Sequence, residues 1–557
     1  MEKKWWTLVV VCAATFMLLL DVTIVIVALP TIQSGLHASF SDLQWVIDAY
    51  ALTLASVLLA AGSLADRYGR RLLFAIGLVV FTLGSLLCGI AQSPIELILS
   101  RSAQGIGGAI LFSTSLALLA QSFRGKERGV AFGIWGAVTG VAAGLGPVLG
   151  GLIVTGISWR GIFLVNLPFG VAALVVTLWK VDESKTPHTG RPDWAGFVTL
   201  TSGLISFVYG LIRAGEIAWS DTGVIICLSL ATVFFASFVA LERRAEHPLF
   251  DLSLFRIPTF SGGLLAAFAM NGSLYAMFLY LALYLQDNLG HSALVTGLQL
   301  LLISGTSIVS SIGAGAFHER VSIRWLIGPG LLLVGVGLLL NAGLNGTSSW
   351  THLIPGFIVA GIGSGIVNPP LASTAVGVVD PQRSGMASGV NTTFRQIGIA
   401  TGTAVYGSIF ASSFHQQLGQ ALVSIPSLEQ HLSIVVTAVQ QGDAPRVINA
   451  VPGSLRAPLG AAIHASFASA LNVLLVVSGV LALVGAVGSG LLIRRRDFVV
   501  TQQQTTPALT EPIGETDDRA RAHEGAESLR SNHESDFDDV APHLEPEALR
   551  TSLERGE

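Results

Sequence analysis

Along the 557 residues, polar positions are sparse for long stretches and then arrive in short bursts. Fourteen stretches are almost wholly apolar: roughly 7–29, 45–65, 72–91, 95–120, 130–154, 161–180, 194–212, 222–241, 259–286, 293–317, 325–343, 352–378, 386–411 and 464–493. A helix rises ~1.5 Å per residue, so about 20 apolar residues cross a ~30 Å hydrocarbon core. The pattern predicts fourteen membrane-spanning helices. The opening Met-Glu-Lys-Lys-Trp-Trp resembles the start of a signal peptide. The apolar run behind it is too long for one, and no small-residue cleavage site follows, so it is read as the first span.

The bursts between the spans set the orientation, because Lys and Arg in short loops stay on the cytoplasmic side. With residue 1 inside, alternation places twenty Lys and Arg in inside segments and only four (Arg160, Arg213, Arg446 and Arg456) outside. That predicts both termini in the cytoplasm and an even number of spans. The densest burst is Gly62-Ser-Leu-Ala-Asp66-Arg67-Tyr-Gly69-Arg70-Arg71, read as a tight inside turn between the second and third spans. Gly315-Ala-Phe-His-Glu319-Arg320-Val-Ser-Ile-Arg324 repeats its spacing 253 residues later. A repeat in the same orientation indicates two parallel halves. The offset exceeds a six-helix half by two spans, which makes 194–212 and 222–241 the natural insertion. The expected organisation is a six-helix bundle over 1–185, two inserted helices over 186–256, a second six-helix bundle over 257–497, and a tail over 498–557. The second bundle carries an outside loop at 413–462, in which His431 to Gln441 is amphipathic and suited to the membrane surface.

Composition sharpens the class. The chain is 51% hydrophobic and 12% charged, against about 25% charged in soluble proteins. The net charge of −4 conceals an uneven spread: residues 498–557 hold five Arg against fourteen acids. That acidic, aromatic-poor tail is expected to be disordered. No basic block suits nucleic acid. Cys12, Cys88 and Cys227 lie in apolar runs with no disulfide or metal spacing, and His318, His352 and His464 are scattered, which argues against a membrane-embedded enzyme. Gly105-x-Gly107-Gly108 lies inside a span and no Gly-x4-Gly-Lys-Ser/Thr is present, so neither a nucleotide nor another cofactor is expected. Ion gradients remain as the energy source.

Charges inside the spans carry the candidate chemistry, since each costs roughly 2.5–3.5 kcal/mol at mid-membrane and is kept where it binds or titrates something. From span centres and ~1.5 Å per residue, Asp21 lies roughly 4 Å outward of its centre, and Asp48 and Arg101 roughly 10 Å outward of theirs. The three are expected to meet in one outer pocket, with Asp21 or Asp48 as the partner of Arg101 and Asp21 as the principal proton carrier. Asp48 is expected to set cargo charge, with Trp45 and Tyr50 packing against a hydrophobic cation; the competing reading is that Asp48 only balances Arg101. Asp66 and Arg67 are expected to act as a conformational latch between an acid at a helix end and an Arg bridge. Asn368 and Asn391 put polar groups inside spans. Arg395 is read as structural rather than coupling, and Asp287 as a solvated cap at an outer helix end. In the fifth span Gly136, Gly140, Gly144, Gly146, Gly150 and Gly151 surround Pro147, a ladder for close helix approach with a kink.

These motifs carry a resemblance. Gly-x-x-x-Asp-Arg-x-Gly-Arg-Arg between the second and third spans resembles the signature loop of the major facilitator superfamily, and the copy at Gly315, Glu319 and Arg320 resembles its counterpart in the second half. Leu20-Asp21-Val-Thr-Ile-Val-Ile-Val-Ala-Leu-Pro30 resembles the first-helix motif of the fourteen-spanner drug:proton antiporters, Ser100-Arg101-Ser-Ala-Gln104-Gly105 the family's fourth-helix motif, and Trp45-Val-Ile-Asp48-Ala-Tyr50 a variant in exporters that accept cations. Gly144-Leu-Gly146-Pro147-x-x-Gly150-Gly151 resembles the antiporter motif of exporters. The resemblance implies an all-α integral membrane protein of the major facilitator fold, two six-helix bundles plus two inserted helices. It implies a monomer of the cell membrane that exports small amphipathic compounds, cationic ones included, in exchange for protons. A transporter of the same superfamily for another solute, importer or symporter included, is the nearest alternative.

Overall fold

The computed structural model describes residues 2–123, 125–184, 193–245, 248, 251–317, 321–379, 384–423, 435 and 444–498. Among these there is no strand. The first six helices are α1 (Lys3–Leu36), α2 (Phe40–Tyr68), α3 (Arg70–Ile90), α4 (Pro94–Ser122), α5 (Gly125–Gly156) and α6 (Gly161–Lys180). Then come α7 (Trp194–Glu216) and α8 (Thr222–Glu242). The last six are α9 (Pro258–Asn288), α10 (Ala293–Phe317), α11 (Ile323–Leu340), α12 (Ile354–Val376), α13 (Ser384–Leu422) and α14 (Gly453–Leu492). One helix thus stands at each of the fourteen apolar stretches. Among the described residues, twelve of them are long and apolar enough to cross a membrane, and α2 and α5 are helical over 29 and 32 residues.

Local chemistry sets the ends. α2 begins with a capping box, in which Ser39 Oγ accepts from Asp42 N and Asp42 Oδ2 accepts from Ser39 N. Asp193 and Asp221 cap α7 and α8 by accepting from backbone N–H groups of the first turn. α9 is interrupted by π-turns at Asn271–Tyr275 and Tyr284–Asn288, which rotate the side chains that follow.

Two boundaries differ from the expectation. Gly62 to Tyr68 continue α2, and the turn between α2 and α3 is Gly69 alone, at φ 125° and ψ 132°, backbone that L side chains rarely adopt. The 413–462 loop is shorter, because α13 runs on to Leu422 and α14 begins at Gly453. Phe414, Leu418 and Leu422 recur every four residues and are buried, as is Leu459 before α14's apolar run, so the polar residues between them ride on one helical face. The amphipathic piece, apart from residue 435, and the acidic tail lie outside the described residues.

The helices pack as two sets. In the first, α4 lies against α2 and α3, α1 against α5, and α6 against α3 and α1; in the second, α12 lies against α10 and α11, and α14 against α11, α9 and α13. The sets meet along α5 and α10, α2 and α13, and α1 and α9. α7 and α8 pair with each other, and α7 leans on α13 and α2. α8 has only 17% of its apolar window buried, so most of its surface faces outward.

Candidate functional site: a buried charge network beside an unpartnered carboxyl

The charges inside the first set converge on Asp21 of α1. Its side chain is fully buried. Asp21 Oδ2 accepts from Arg101 Nη1 at 2.5 Å, and Oδ1 accepts from Gln104 Nε2 at 2.7 Å and Asn166 Nδ2 at 3.2 Å. Both amides also donate to Ser85 Oγ, at 2.8 and 3.3 Å. Arg101 also donates to Gln104 Oε1 at 2.6 Å and to the Val46 carbonyl at 3.1 Å, and its guanidinium lies 4.2 Å from the Tyr50 ring centroid. Five polar side chains from α1, α3, α4 and α6 thus form one closed network. A buried ion pair needs further hydrogen bonds to offset its desolvation, and here Asp21 accepts three and Arg101 donates three.

Asp48 stands apart from it. Residues two positions apart on a helix point about 200° away from each other. Tyr50 turns its ring toward Arg101, so Gln44 and Asp48 turn the other way, Gln44 toward α9 and α13 and Asp48 toward α9. Gln44 Nε2 donates to Tyr280 Oη at 3.2 Å, and that hydroxyl donates to the Thr403 carbonyl at 2.8 Å. Asp48 is fully buried within electrostatic reach of Tyr280, and among the described residues neither carboxyl oxygen has a hydrogen-bond partner. Trp45 takes a third direction, its ring 6.1 Å from Tyr209 of α7. The expected pocket is therefore divided: Asp21 and Arg101 meet, Asp48 does not join them, and Trp45, Asp48 and Tyr50 face three different neighbours because the helix turns 100° at each residue.

Aromatic rings close the gap between the sets at this end. Phe40 stacks on Phe410 at 5.1 Å and lies 5.8 Å from Tyr280, while Phe410 meets Phe414 at 5.8 Å and Phe467 at 4.9 Å. α5 and α10 touch at the same end. The glycine ladder serves two neighbours rather than one: a Cβ on Gly146 or Gly150 would run into Thr23 or Ile24 of α1, and one on Gly144 or Gly151 into Ile308 or the Ala293–Leu294 backbone of α10. The Pro147 carbonyl sits where Gly297 of α10 would carry a Cβ. Among the described residues, nothing stands within 4 Å of a Cβ on Gly136, Gly305 or Gly313. The side of Gly140 is not among the described positions.

At the opposite end, the motif around Gly69 is held by a residue the sequence reading passed over. Glu183, just after α6, accepts from the backbone N–H of Arg71 and Leu72, both at 3.1 Å. Its carboxylate thereby sits at the positive end of α3, against the position a Gly69 Cβ would occupy. Arg70 N donates to the Ser184 carbonyl, Arg70 Nη1 to Gln121 Oε1 at 3.2 Å, and Arg71 Nη2 to the Leu178 carbonyl at 2.5 Å. Arg67 is exposed, 5.5 Å from the Tyr68 ring. Gly62 lies within α2, and Gly315 in the last turn of α10. The Asp66 side chain, Glu319 and Arg320 lie outside the described positions, so the latch they were expected to form does too. Gln104, Asn166 and Ser85 were also missed as partners; the signal was a polar residue inside each apolar run.

In the second set, Arg395 Nε donates to Asn391 Oδ1 at 3.2 Å and Nη1 to Asn368 Oδ1 at 3.3 Å. Asp287 is exposed in the last turn of α9. At the α7–α8 turn, the hydrogen bond from Arg213 Nε at 3.0 Å holds the Asp221 carboxyl below its usual range. Among the described residues, no three His, Cys, Asp or Glu side chains are grouped to hold a metal ion.

A profile described as the Major Facilitator Superfamily matches residues 11–403. The chain is 38% identical over 407 residues to the Multidrug resistance protein Stp of Mycobacterium tuberculosis (strain CDC 1551 / Oshkosh), covering 73% of this chain and 76% of that one. It is 32% identical over 507 residues to the Tetracenomycin C resistance and export protein of Streptomyces glaucescens, covering 87% and 90%. In fold it is similar to a crystal structure of a bacterial homologue of the human lysosomal transporter Spinster, in an inward-facing and occupied conformation. That likeness has a TM-score of 0.61 at 16% identity and covers 89% of this chain and 98% of that one. With its paired helical sets and its buried charges, this multi-pass membrane protein belongs to the major facilitator superfamily of transporters.

Proposed function

We propose that the protein exports small amphipathic compounds, hydrophobic cations included, across the bacterial plasma membrane in exchange for protons. In this reading all fourteen helices cross the bilayer, α2 and α5 among them, with both termini in the cytoplasm. α1–α6 and α9–α14 rock against each other as a monomer, and α7 and α8 ride outside. The Lys and Arg bias supports the orientation, and the printed names of the relatives, multidrug resistance and tetracenomycin C export, support the cargo class. The end closed by Phe40, Phe410 and the α5–α10 glycines is then the outer gate. The Asp66–Arg67 motif is the inner latch.

The observation that carries the reading is the contrast between two buried carboxyls. Asp21 has a cation and two amides around it. Asp48, between the two sets, has nothing to solvate a charge. An unpartnered charge in low dielectric is costly, and a bound proton or a bound cation removes that cost. Proton and cationic cargo then compete for Asp48, which takes the carrier role first expected of Asp21, while the ion-paired Asp21–Arg101 network senses which one is bound and shifts as the sets rock. One charge moving through 100 mV contributes about 2.3 kcal/mol, comparable to the cost of burying it.

The test uses purified protein in liposomes with an internal pH dye, an imposed proton gradient and ethidium as the cargo probe. Ethidium should drive proton movement in the opposite direction in the wild type, and Asp48→Asn should abolish that exchange. Ethidium transport that survives collapse of the proton gradient, or undiminished exchange in Asp48→Asn, would overturn the proposal.

A further inference from the structure

Arg101 and Arg395, one inside each helical set, are treated differently. Arg101 meets a carboxylate, an amide oxygen and a carbonyl. Arg395 of α13 meets two neutral amide oxygens, and among the described residues no carboxylate lies within ion-pair reach of it. A guanidinium stays charged at every physiological pH and offers five N–H donors in a planar fork. Two of the nitrogens are engaged here, on Asn391 and Asn368. Those amides turn their oxygens to the arginine, so their own N–H groups point elsewhere. Asn391 is 4% exposed, and among the described residues its Nδ2 has no acceptor. Arg395 itself is half-buried, roughly 17 Å along α13 from Ser384 at ~1.5 Å per residue, too deep for a lipid headgroup to serve as its counter-ion. Tyr275, the last residue of the first π-turn of α9, lies within electrostatic reach of it. The group therefore has a surplus of donors and of positive charge and a deficit of acceptors. An oxyanion matches that deficit, and a planar carboxylate matches the geometry of the fork.

We propose that Arg395, Asn391 and Asn368 form an anion-accepting subsite in the second helical set, which takes a carboxylate or phenolate oxygen of the cargo. This rests on the reading of the chain as an exporter of small amphipathic molecules. It extends that reading from cations to anions and zwitterions: Asp48 in one set and Arg395 in the other would hold opposite ends of a dipolar cargo.

Two xanthene dyes of opposite charge test it, fluorescein as the anion and rhodamine 123 as the cation. Binding to the purified protein is read by fluorescence anisotropy in detergent, and transport by accumulation in liposomes under a proton gradient. The variants are Arg395→Gln, Arg395→Lys and Asn391→Asp, the last placing a carboxylate inside the subsite while keeping the arginine. Arg395→Gln and Asn391→Asp should each lower the affinity ratio of fluorescein to rhodamine at least tenfold. Arg395→Lys, which keeps the charge and loses the fork, should give an intermediate ratio. Equal losses for both dyes in Arg395→Gln, or an unchanged ratio in Asn391→Asp, would make the arginine a structural group and overturn the proposal. Wild-type binding of rhodamine without fluorescein would overturn it while leaving export intact. Fluorescein binding that depends on Arg395, without gradient-driven transport of either dye, would uphold the subsite and defeat the export reading.

Discussion

Replacing Asp21 by Asn should cost far more than the loss of one hydrogen bond. The side chain is isosteric, so the effect is electrostatic. The Asp21 carboxylate accepts from Arg101, Gln104 and Asn166 and is fully buried. In the variant one terminal atom becomes a donor that faces donors, and the Arg101 side chain, 3% exposed, loses its counter-ion. Breaking a buried pair by removing one partner costs ~3–5 kcal/mol, because the remaining charge stays buried. Arg101→Gln should cost a similar amount for the mirror reason. The double variant removes both charges and leaves amides that can pair with one another, so it should be more stable than the sum of the single losses implies, by at least about 2 kcal/mol. Denaturation in mixed micelles, followed by far-UV circular dichroism, gives the stabilities, and proton exchange in liposomes gives the function. If Asp21→Asn stays within about 1 kcal/mol of wild type, or if the two losses simply add, the network is not the closed charge pair described above.

Three further outcomes follow from other parts of the fold. Gly69→Ala should destabilise by about 1–3 kcal/mol through its positive φ, and should also push Glu183 off the start of α3, which faster amide exchange at Arg71 and Leu72 would reveal. Gly146→Ala drives a methyl into Thr23, and overpacking of this kind typically costs ~1–3 kcal/mol; it should slow transport more than it weakens ethidium binding, and unchanged turnover would remove the α1–α5 contact from the moving parts. Asp221 is held below its usual range by Arg213, so its contribution to the α7–α8 turn is present above the unfolded carboxyl value near 3.9 and is lost as pH falls through the lower folded value. Protection of the Gly223 and Val224 amides, read as exchange relative to the intrinsic rate at each pH, should therefore stay constant through neutral pH and fall only in strong acid, and Asp221→Asn should lower it at neutral pH.

The apolar stretches were legible because crossing a bilayer requires length and hydropathy, which a linear string carries directly. Asp21 and Arg101 were legible as partners because depth along each span is also linear. Direction around a helix axis is not, and there the expectation failed: Asp48 shares its depth with Arg101 yet faces the other set. Gln104, Asn166 and Ser85 were visible as polar residues in apolar runs, but uncharged groups carry no cost large enough to single them out before their partners are known. Glu183 escaped notice because it follows a span, where a charge is ordinary. The extensions of α13 to Leu422 and α14 from Gly453 were hidden by the polar residues between Phe414, Leu418 and Leu422.

The threefold division of α2 limits how this chain can drift. Within seven residues the helix addresses three unlike neighbours: Gln44 and Asp48 meet the second set, Val46 and Tyr50 meet Arg101, and Trp45 meets α7. The capping box at Ser39 and the single glycine at position 69 pin both ends of the segment. One inserted or deleted residue between them would turn everything beyond it by about 100° and shift it by ~1.5 Å, exchanging the three audiences at once. Substitutions can accumulate singly in such a segment, whereas its length cannot. Among descendants of this sequence, variation between Ser39 and Gly69 should consist of replacements alone.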